Sequence, residues 1–434
     1  MTLRDLIQRF VPAAFLVAFV VVEFDFLAKV PIPGLYSATH TAFVALNLLF
    51  LGYYIIYMLR TKQVSRMFLF ILPVLLLPFI SAWQSMQTFD QPFLYGVLSE
   101  RGKFFVISGL MLVHFLERGW WTIEQVRKTV ITGAFMFFGL MLTLYIFVNP
   151  EVFEGTNFVI KSVYRGYRYG FNQAFVVLLF LYALFQALST RNRRWLFLLV
   201  AILFYLFVFH KGRSLLLATI GAAAIFLLRN YSSGAVLKYF VGIAVAAVLV
   251  LAASWFILPD VTQTNVLLFA SAFNAVLGGE VVDGSAASRI TQVQIAVQGI
   301  EAHPLLGNGF LSSQWNEGFG GVYGHFFPSD IGWFGIFFLY GSVGWLILMS
   351  PFLLAFSWRR KLLHNNDIFL VTVQAMTLYF FIHNMSAAFV VKKFGMIVFL
   401  FGILYYYRYL HEPVAQSTTK PASPAVGEVT VQAV

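Results

Sequence analysis

The sequence predicts an all-α polytopic membrane protein, and three observations carry that reading. Of its 434 residues, 60% are hydrophobic and only 11% are charged, against roughly 25% charged in an ordinary soluble domain. A water-facing fold cannot hide that much apolar surface, whereas lipid can cover it. Apolar runs of about 20 residues, the length a helix needs to cross a bilayer, recur along the chain. Between them, short basic loops fall on alternate connections. The 29 Lys and Arg against 18 Asp and Glu leave a formal net charge of +11, and these loops account for it without a nucleic-acid partner. Cysteine is absent, which excludes a disulfide scaffold, thiolate catalysis and a Cys-ligated metal.

About twelve spans are expected, near 10–28, 36–59, 67–86, 103–117, 129–148, 170–189, 195–209, 214–229, 239–257, 329–356, 368–386 and 390–407. Arg4 and Arg9 precede the first run without a small-residue cleavage site, so it reads as a retained span. Lys and Arg then follow spans two, four, six, eight and ten, for example Arg60, Lys62 and Arg66, or Arg191, Arg193 and Arg194. That bias places those loops and both termini in the cytoplasm. The chain divides into an N-terminal transmembrane bundle of about nine spans over 1–257, a large extracytoplasmic loop over 258–328, three C-terminal spans over 329–411 and a tail over 412–434. The tail is rich in Pro, Ala, Ser, Thr and Val and reads as disordered.

A connection as long as 258–328 is expected to hold helices of its own. One fits from about Thr264 to Leu277 and another from Ser288, as N-cap, to about Glu301. Ile290, Val293, Val297 and Ile300 give the second an apolar stripe at helical spacing, suited to lying on the bilayer or capping the bundle. His303-Pro304 stops it, and Gly307 and Gly309 follow as turn residues.

Ionisable groups near the outer ends of spans are costly and therefore informative. The cations there are Arg101 and Lys103, Arg165 and Arg168, Lys211 and Arg213, Arg289, and Lys392 and Lys393. A single Lys at such a place reads as an interfacial anchor. The pairs Arg165-Gly-Tyr-Arg168 and His210-Lys211-Gly-Arg213 run against the usual charge bias and suit phosphate or diphosphate, which a guanidinium binds bidentately. Of eight His, His210, His303, His325 and His383 fall at or near the outer surface, while His40, His114, His364 and His411 read as ordinary. An imidazole is the natural base near neutral pH. His325 follows the Gly-rich stretch 318–324 at the mouth of span ten, where a flexible loop can deliver it. Glu23 and Asp25 read as the end of span one, and Asp283 and Asp330 are further acids. No carboxylate pair or His cluster has metal spacing, so no cofactor is expected. No Gly-Lys-Ser/Thr phosphate loop is present either.

One segment is more specific. Gln298-Gly-Ile-Glu-Ala-His303-Pro304-Leu-Leu-Gly307-Asn308-Gly309, followed by a His before Ser329-Asp330-Ile-Gly332 and by Gly341-Ser-Val-Gly344, resembles the O-antigen ligase and O-antigen polymerase (Wzy-type) superfamily of bacterial inner-membrane glycosyltransferases. The likeness extends to the twelve-span plan, the late outer loop and the short His210–Arg213 turn. It implies a fold similar to membrane glycosyltransferases of the C type. The implied donor is a glycan on undecaprenyl diphosphate at the outer leaflet, and the implied transfer is metal-independent and inverts the anomeric centre. It gives Arg165, Arg168, Arg213 and Arg289 the arginine role, with Lys211 and Arg101 as further diphosphate contacts. His325 takes the histidine role, and His303, His210 and Asp330 stand as additional candidates. A chain-length regulator is a family-level partner. Ligases and many polymerases carry His-Asn before the aromatic of that loop. Here the run is His325-Phe326-Phe327-Pro328-Ser329-Asp330, which favours a polysaccharide polymerase over a ligase acting on lipid A-core. A lipid-linked sugar transporter or flippase is the reading from another class. No repeated halves, a common transporter signature, are visible in the sequence.

Overall fold

The computed structural model describes residues 3–23, 32, 34–156, 158–162, 166–190, 192–230, 248–260, 284–362 and 367–411, with scattered positions between 242 and 270. Arg165, Asp25, Asp283, His364, most of the expected 264–277 helix and the tail lie outside the described residues.

The chain is mostly helical. Among the described residues six helical stretches are long and apolar enough to cross a membrane: α2 (Leu35–Thr61), α3 (Arg66–Phe89), α6 (Ile123–Phe147), the stretch Arg193–His210, most of α13 (Trp333–Leu362) and α14 (Ile368–Ser386). They meet six of the twelve expected spans. The first and sixth expected spans are shorter apolar helices within α1 (Leu3–Glu23) and α7 (Ala174–Thr190), and α10 (Val248–Ile257) covers part of the ninth. The eighth and twelfth coincide with α9 (Arg213–Asn230) and α15 (Phe389–Tyr409), and the short α12 (Phe319–Tyr323) lies in the long loop. The fourth is interrupted: α4 (Phe93–Ser99), a 3₁₀ segment Arg101–Val106 and α5 (Ile107–Glu117) follow one another.

Burial sorts the helices. Nearly every residue of α5 and of the first three turns of α7 is buried, and α14 and α15 are close to that. A helix apolar on all sides is a central one. These four pack in series, α5 on α15, α15 on α14, and α14 on both α7 and α9, while α2 leaves most of its apolar side chains exposed, as a lipid-facing helix should.

Helix starts follow local chemistry. Thr122 and Gln125 form a reciprocal capping box on α6. The side chains of Ser65, Asn192 and Asp367 accept from backbone N–H groups at the starts of α3, α8 (Arg193–Phe204) and α14. The 149–169 connection adds an element that hydropathy does not reveal. Strands β1 (Val159–Ser162) and β2 (Gly166–Tyr169) pair antiparallel with Val159 against Tyr169 and Ser162 against Gly166.

The helix of the long loop, α11 (Gly284–Ala302), differs from expectation in two ways. It starts one turn before Ser288, through Gly-Ser-Ala-Ala, so Ser288 is not its N-cap; the Ser288 hydroxyl instead meets the Gln292 side-chain amide at 3.1 Å. Its packed face is also only partly the apolar stripe: Val293 and Ile300 pack against the core. Gln292 and Ala296 are buried, while Ile290 and Val297 point outward. The reason is Gly299. A Cβ there would sit 2.4 Å from the Phe338 ring, so the glycine lets α11 press onto α13 along the Gln292–Ala296–Gly299 line.

The His303–Gly309 segment then does more than turn. Helix α13 breaks at Gly341 (φ 60°, ψ −167°), which orphans backbone groups on both sides of the break. Asn308 and Gly309 donate their N–H groups to the carbonyls of Phe338 and Leu339 at 2.8 and 2.9 Å. Ser342 and Val343 donate to the carbonyls of Pro304 and Leu305 at 2.9 and 3.1 Å. The Asn308 amide adds bonds to the Gly299 and Phe338 carbonyls. On its other side the segment meets α3. Phe310 N–H donates to Ser81 Oγ at 2.9 Å, and Gln91 binds both Phe310 and Ser312. Gly309, at φ 79°, is so close that a Cβ would lie 2.2 Å from the Ser81 carbonyl oxygen. Irregular backbone inside a bundle persists where protein satisfies it in this way.

Candidate functional site

Three interrupted helices meet at one place. The first is the α4, Arg101–Val106 and α5 sequence. The second is α13 at Gly341. The third is α15, whose backbone departs from helix at Lys393 (φ −131°, ψ 39°). Tyr340 lies seven residues into α13, so at 1.5 Å per residue the junction is recessed roughly 10 Å below the start of that helix.

Buried charges tie the junction together. Glu100 and Lys103 are 5% and 2% exposed. The Tyr340 hydroxyl donates a short bond to Glu100 Oε1. The Lys103 ammonium donates to the Val390 and Val391 carbonyls at 3.1 and 2.9 Å and stands 5.1 Å from the centre of the Tyr340 ring. A charge this buried persists only when paired and hydrogen-bonded. The two carbonyls belong to the first turn of α15, so Lys103 pins that helix beside the break in α13.

A cavity of about 760 Å³ opens onto this junction. Arg101, Lys103 and Lys393 line it together with His40, Glu100 and Glu317, and residues 310–314, 317–320 and 326–329 supply its loop wall. Arg101 Nε donates to His40 Nδ1 at 3.3 Å, and its Nη1 reaches the Leu98 carbonyl at 3.4 Å. The 326–329 wall is fixed from two sides. Phe327 N–H donates to Gln292 Oε1 at 2.8 Å, and Ala388 N–H donates to the Ser329 carbonyl at 2.8 Å.

The expected site residues divide. Arg101 lines the cavity, with Lys103 and Lys393 of the same cationic set. His325 and Asp330 flank the lining stretch without being part of the lining: both are exposed, and the His325 ring packs edge-on against Phe327 at 5.0 Å. Asp330 accepts from the Ser329 hydroxyl at 3.2 Å. Arg289 is half-buried on α11, one turn before Gln292, and near enough to His383 to act on it electrostatically. His303 is exposed, and its backbone closes α11 onto Gly307.

Arg168, His210, Lys211 and Arg213 form a second region. Strand β2 packs against the π-helical turn Tyr205–His210. Arg168 lies beside Tyr145, which stacks on Phe209 at 5.0 Å. Lys211 has a left-handed backbone (φ 55°), and Arg213 opens α9. Burial pushes the pKa of the Lys211 ammonium down and does the same to the Arg168 guanidinium, partly offset there by Tyr145. None of these four lines the cavity.

Sequence reasoning passed over His40, Glu100, Tyr340 and Glu317. Glu100 had a signal: Gln91-Pro92 followed by only seven residues of α4 before Glu-Arg-Gly-Lys is too short for a span and suits a re-entrant segment. His40 sits in an apolar run and carries no such mark. Among the described residues no three His, Asp or Glu side chains gather in a group that could hold a metal. Compared with known proteins, the chain matches no protein-family model and no curated protein.

Proposed function

We propose that the chain is a membrane glycosyltransferase that polymerises glycan repeat units carried on undecaprenyl diphosphate. The observation that supports this best is the recessed cavity, where Arg101, Lys103 and Lys393 share one lining with a wall of mixed polar and aromatic loop residues. A diphosphate leaving group needs cations that meet its developing charge in a partly dehydrated place, and the Arg101 guanidinium suits its oxygens geometrically. The cavity is large enough for a sugar as well as the diphosphate. On this reading the fold is C-type-like with about twelve spans. The protein sits in a bacterial inner membrane with both termini cytoplasmic, its cavity faces the outer side, and a chain-length regulator is a partner. The Gly-rich His303–Gly309 segment supports the resemblance by its structural use: it holds open the break in α13 beside the cavity.

One observation favours a second reading. Interrupted helices that line a central site are also the architecture of transporters, so a lipid-linked sugar flippase is the alternative. The two separate in purified form. With the lipid-linked glycan pool extracted from source cells lacking the protein, a polymerase lengthens glycan on the lipid in detergent. A ligase does so only when lipid A-core is added. A flippase forms no glycosidic bond in detergent but moves lipid-linked glycan across a vesicle. Chain growth without lipid A-core is the outcome expected.

A further inference from the structure

The loop wall of the cavity contains a strained turn. Asn316 and Glu317 have φ of 45° and 59°, and Gly318 continues at 65°, so three successive residues occupy left-handed backbone. Only glycine does so freely, Asn tolerates it, and a Glu there is uncommon. Packing holds the turn in place. Gly318 N–H donates to the Trp315 carbonyl at 2.8 Å, and a Cβ at Gly321 would lie 1.9 Å from the Asn316 carbonyl oxygen. Strain held in this way concentrates at sites that must present a group in one position. The residue presented is Glu317, which is part of the cavity lining.

Elimination points the same way. Among the described residues, two carboxylates and one imidazole line the cavity. Glu100 is buried against Tyr340 beside Lys103, and His40 Nδ1 receives the Arg101 bond. Glu317 is exposed and belongs to the lining, and His325 does not.

Resting on the glycosyltransferase reading, we infer that Glu317 is the catalytic base for the acceptor sugar. The acceptor hydroxyl gives its proton to the Glu317 carboxylate, and its oxygen forms the new bond to the anomeric carbon of the donor. The bond from that carbon to the diphosphate oxygen breaks, and its electron pair leaves on the lipid diphosphate held by Arg101 and Lys393. The protonated Glu317 then loses its proton to water.

The test uses the full-length protein in nanodiscs with the same extracted lipid-linked glycan pool. Glu317→Gln lowers kcat at least about 100-fold, in the range a general base contributes, with the donor KM and the affinity for undecaprenyl diphosphate unchanged. Glu317→Asp recovers part of the rate. Glu317→Asn keeps a residue suited to left-handed backbone, so it raises the unfolding temperature while losing turnover, a combination that a purely structural role does not produce. Near-parental turnover in either Glu317→Gln or Glu317→Asn overturns the assignment and leaves the glycosyltransferase reading standing. A parent protein that lengthens no glycan overturns that reading, and the assignment with it.

Discussion

The two cationic regions are built differently. In the cavity, Arg101, Lys103 and Lys393 lie on helices that have been broken to hold them. In the second region, Arg168, Lys211 and Arg213 sit on a hairpin strand, a turn and the first residue of a helix, where no helix has to be interrupted. Breaking a helix inside an apolar bundle costs backbone hydrogen bonds. Here the cost is offset by a dedicated segment, His303–Gly309, and by Lys103 itself, which binds the Val390 and Val391 carbonyls. Structure is therefore committed to the depth and position of the cavity cations far more than to those at the tips. That contrast is the reason to assign the diphosphate to the cavity.

The contrast can be broken first at Gly309. Gly309→Ala places a Cβ 2.2 Å from a backbone oxygen of α3 at a left-handed position. The segment that satisfies the α13 break can no longer seat there. We expect no monodisperse protein on size-exclusion chromatography in detergent, and a well-behaved variant would mean that the break does not depend on this clamp.

A smaller effect, of opposite sign, belongs to the second region. Lys211→Gly relieves a left-handed non-glycine residue, which should raise stability by about 1 kcal/mol, and it also removes a half-buried ammonium. The burial part of that gain has a defined pH course. The folded-state pKa of Lys211 is depressed, so charging it in the fold is penalised below that pKa. The penalty fades as pH rises through the folded value towards the ordinary lysine value. The advantage of the variant over the parent, read from thermal unfolding, should therefore be largest near neutral pH and shrink in alkaline buffer. A gain independent of pH would assign the whole effect to the backbone.

Much of this was legible in the sequence, and unequally. Hydropathy reports lipid exposure directly, so spans such as 36–59 and 368–386 match α2 and α14 closely. The stop at His303-Pro304 and the turns at Gly307 and Gly309 were also readable. Their purpose was not, because the partner of that segment is a helix break more than 30 residues away at Gly341, and no local pattern encodes that pairing. The face of α11 was legible in half, through Val293 and Ile300, for a related reason: a helix pressed onto an aromatic ring selects Gly299 and Ala296 over bulkier apolar residues such as Ile290 and Val297. Strands of four residues, such as β1 and β2, leave too short an alternation to detect. In the site, charge count found Arg101, Lys103 and Lys393. Which cations share a cavity, and that His40, Glu100 and Glu317 join them, depends on tertiary packing alone.

The most direct measurement is the affinity of undecaprenyl diphosphate for the protein in nanodiscs, comparing two double variants. Removing two charge-assisted contacts of about 1.5–3 kcal/mol each, Arg101→Ala with Lys393→Ala should weaken binding by at least about 100-fold. Arg168→Ala with Arg213→Ala should change it by less than about threefold, within the small effect of a substitution away from the contact. Loss of binding in the second pair with retention in the first would contradict the assignment of the diphosphate to the cavity.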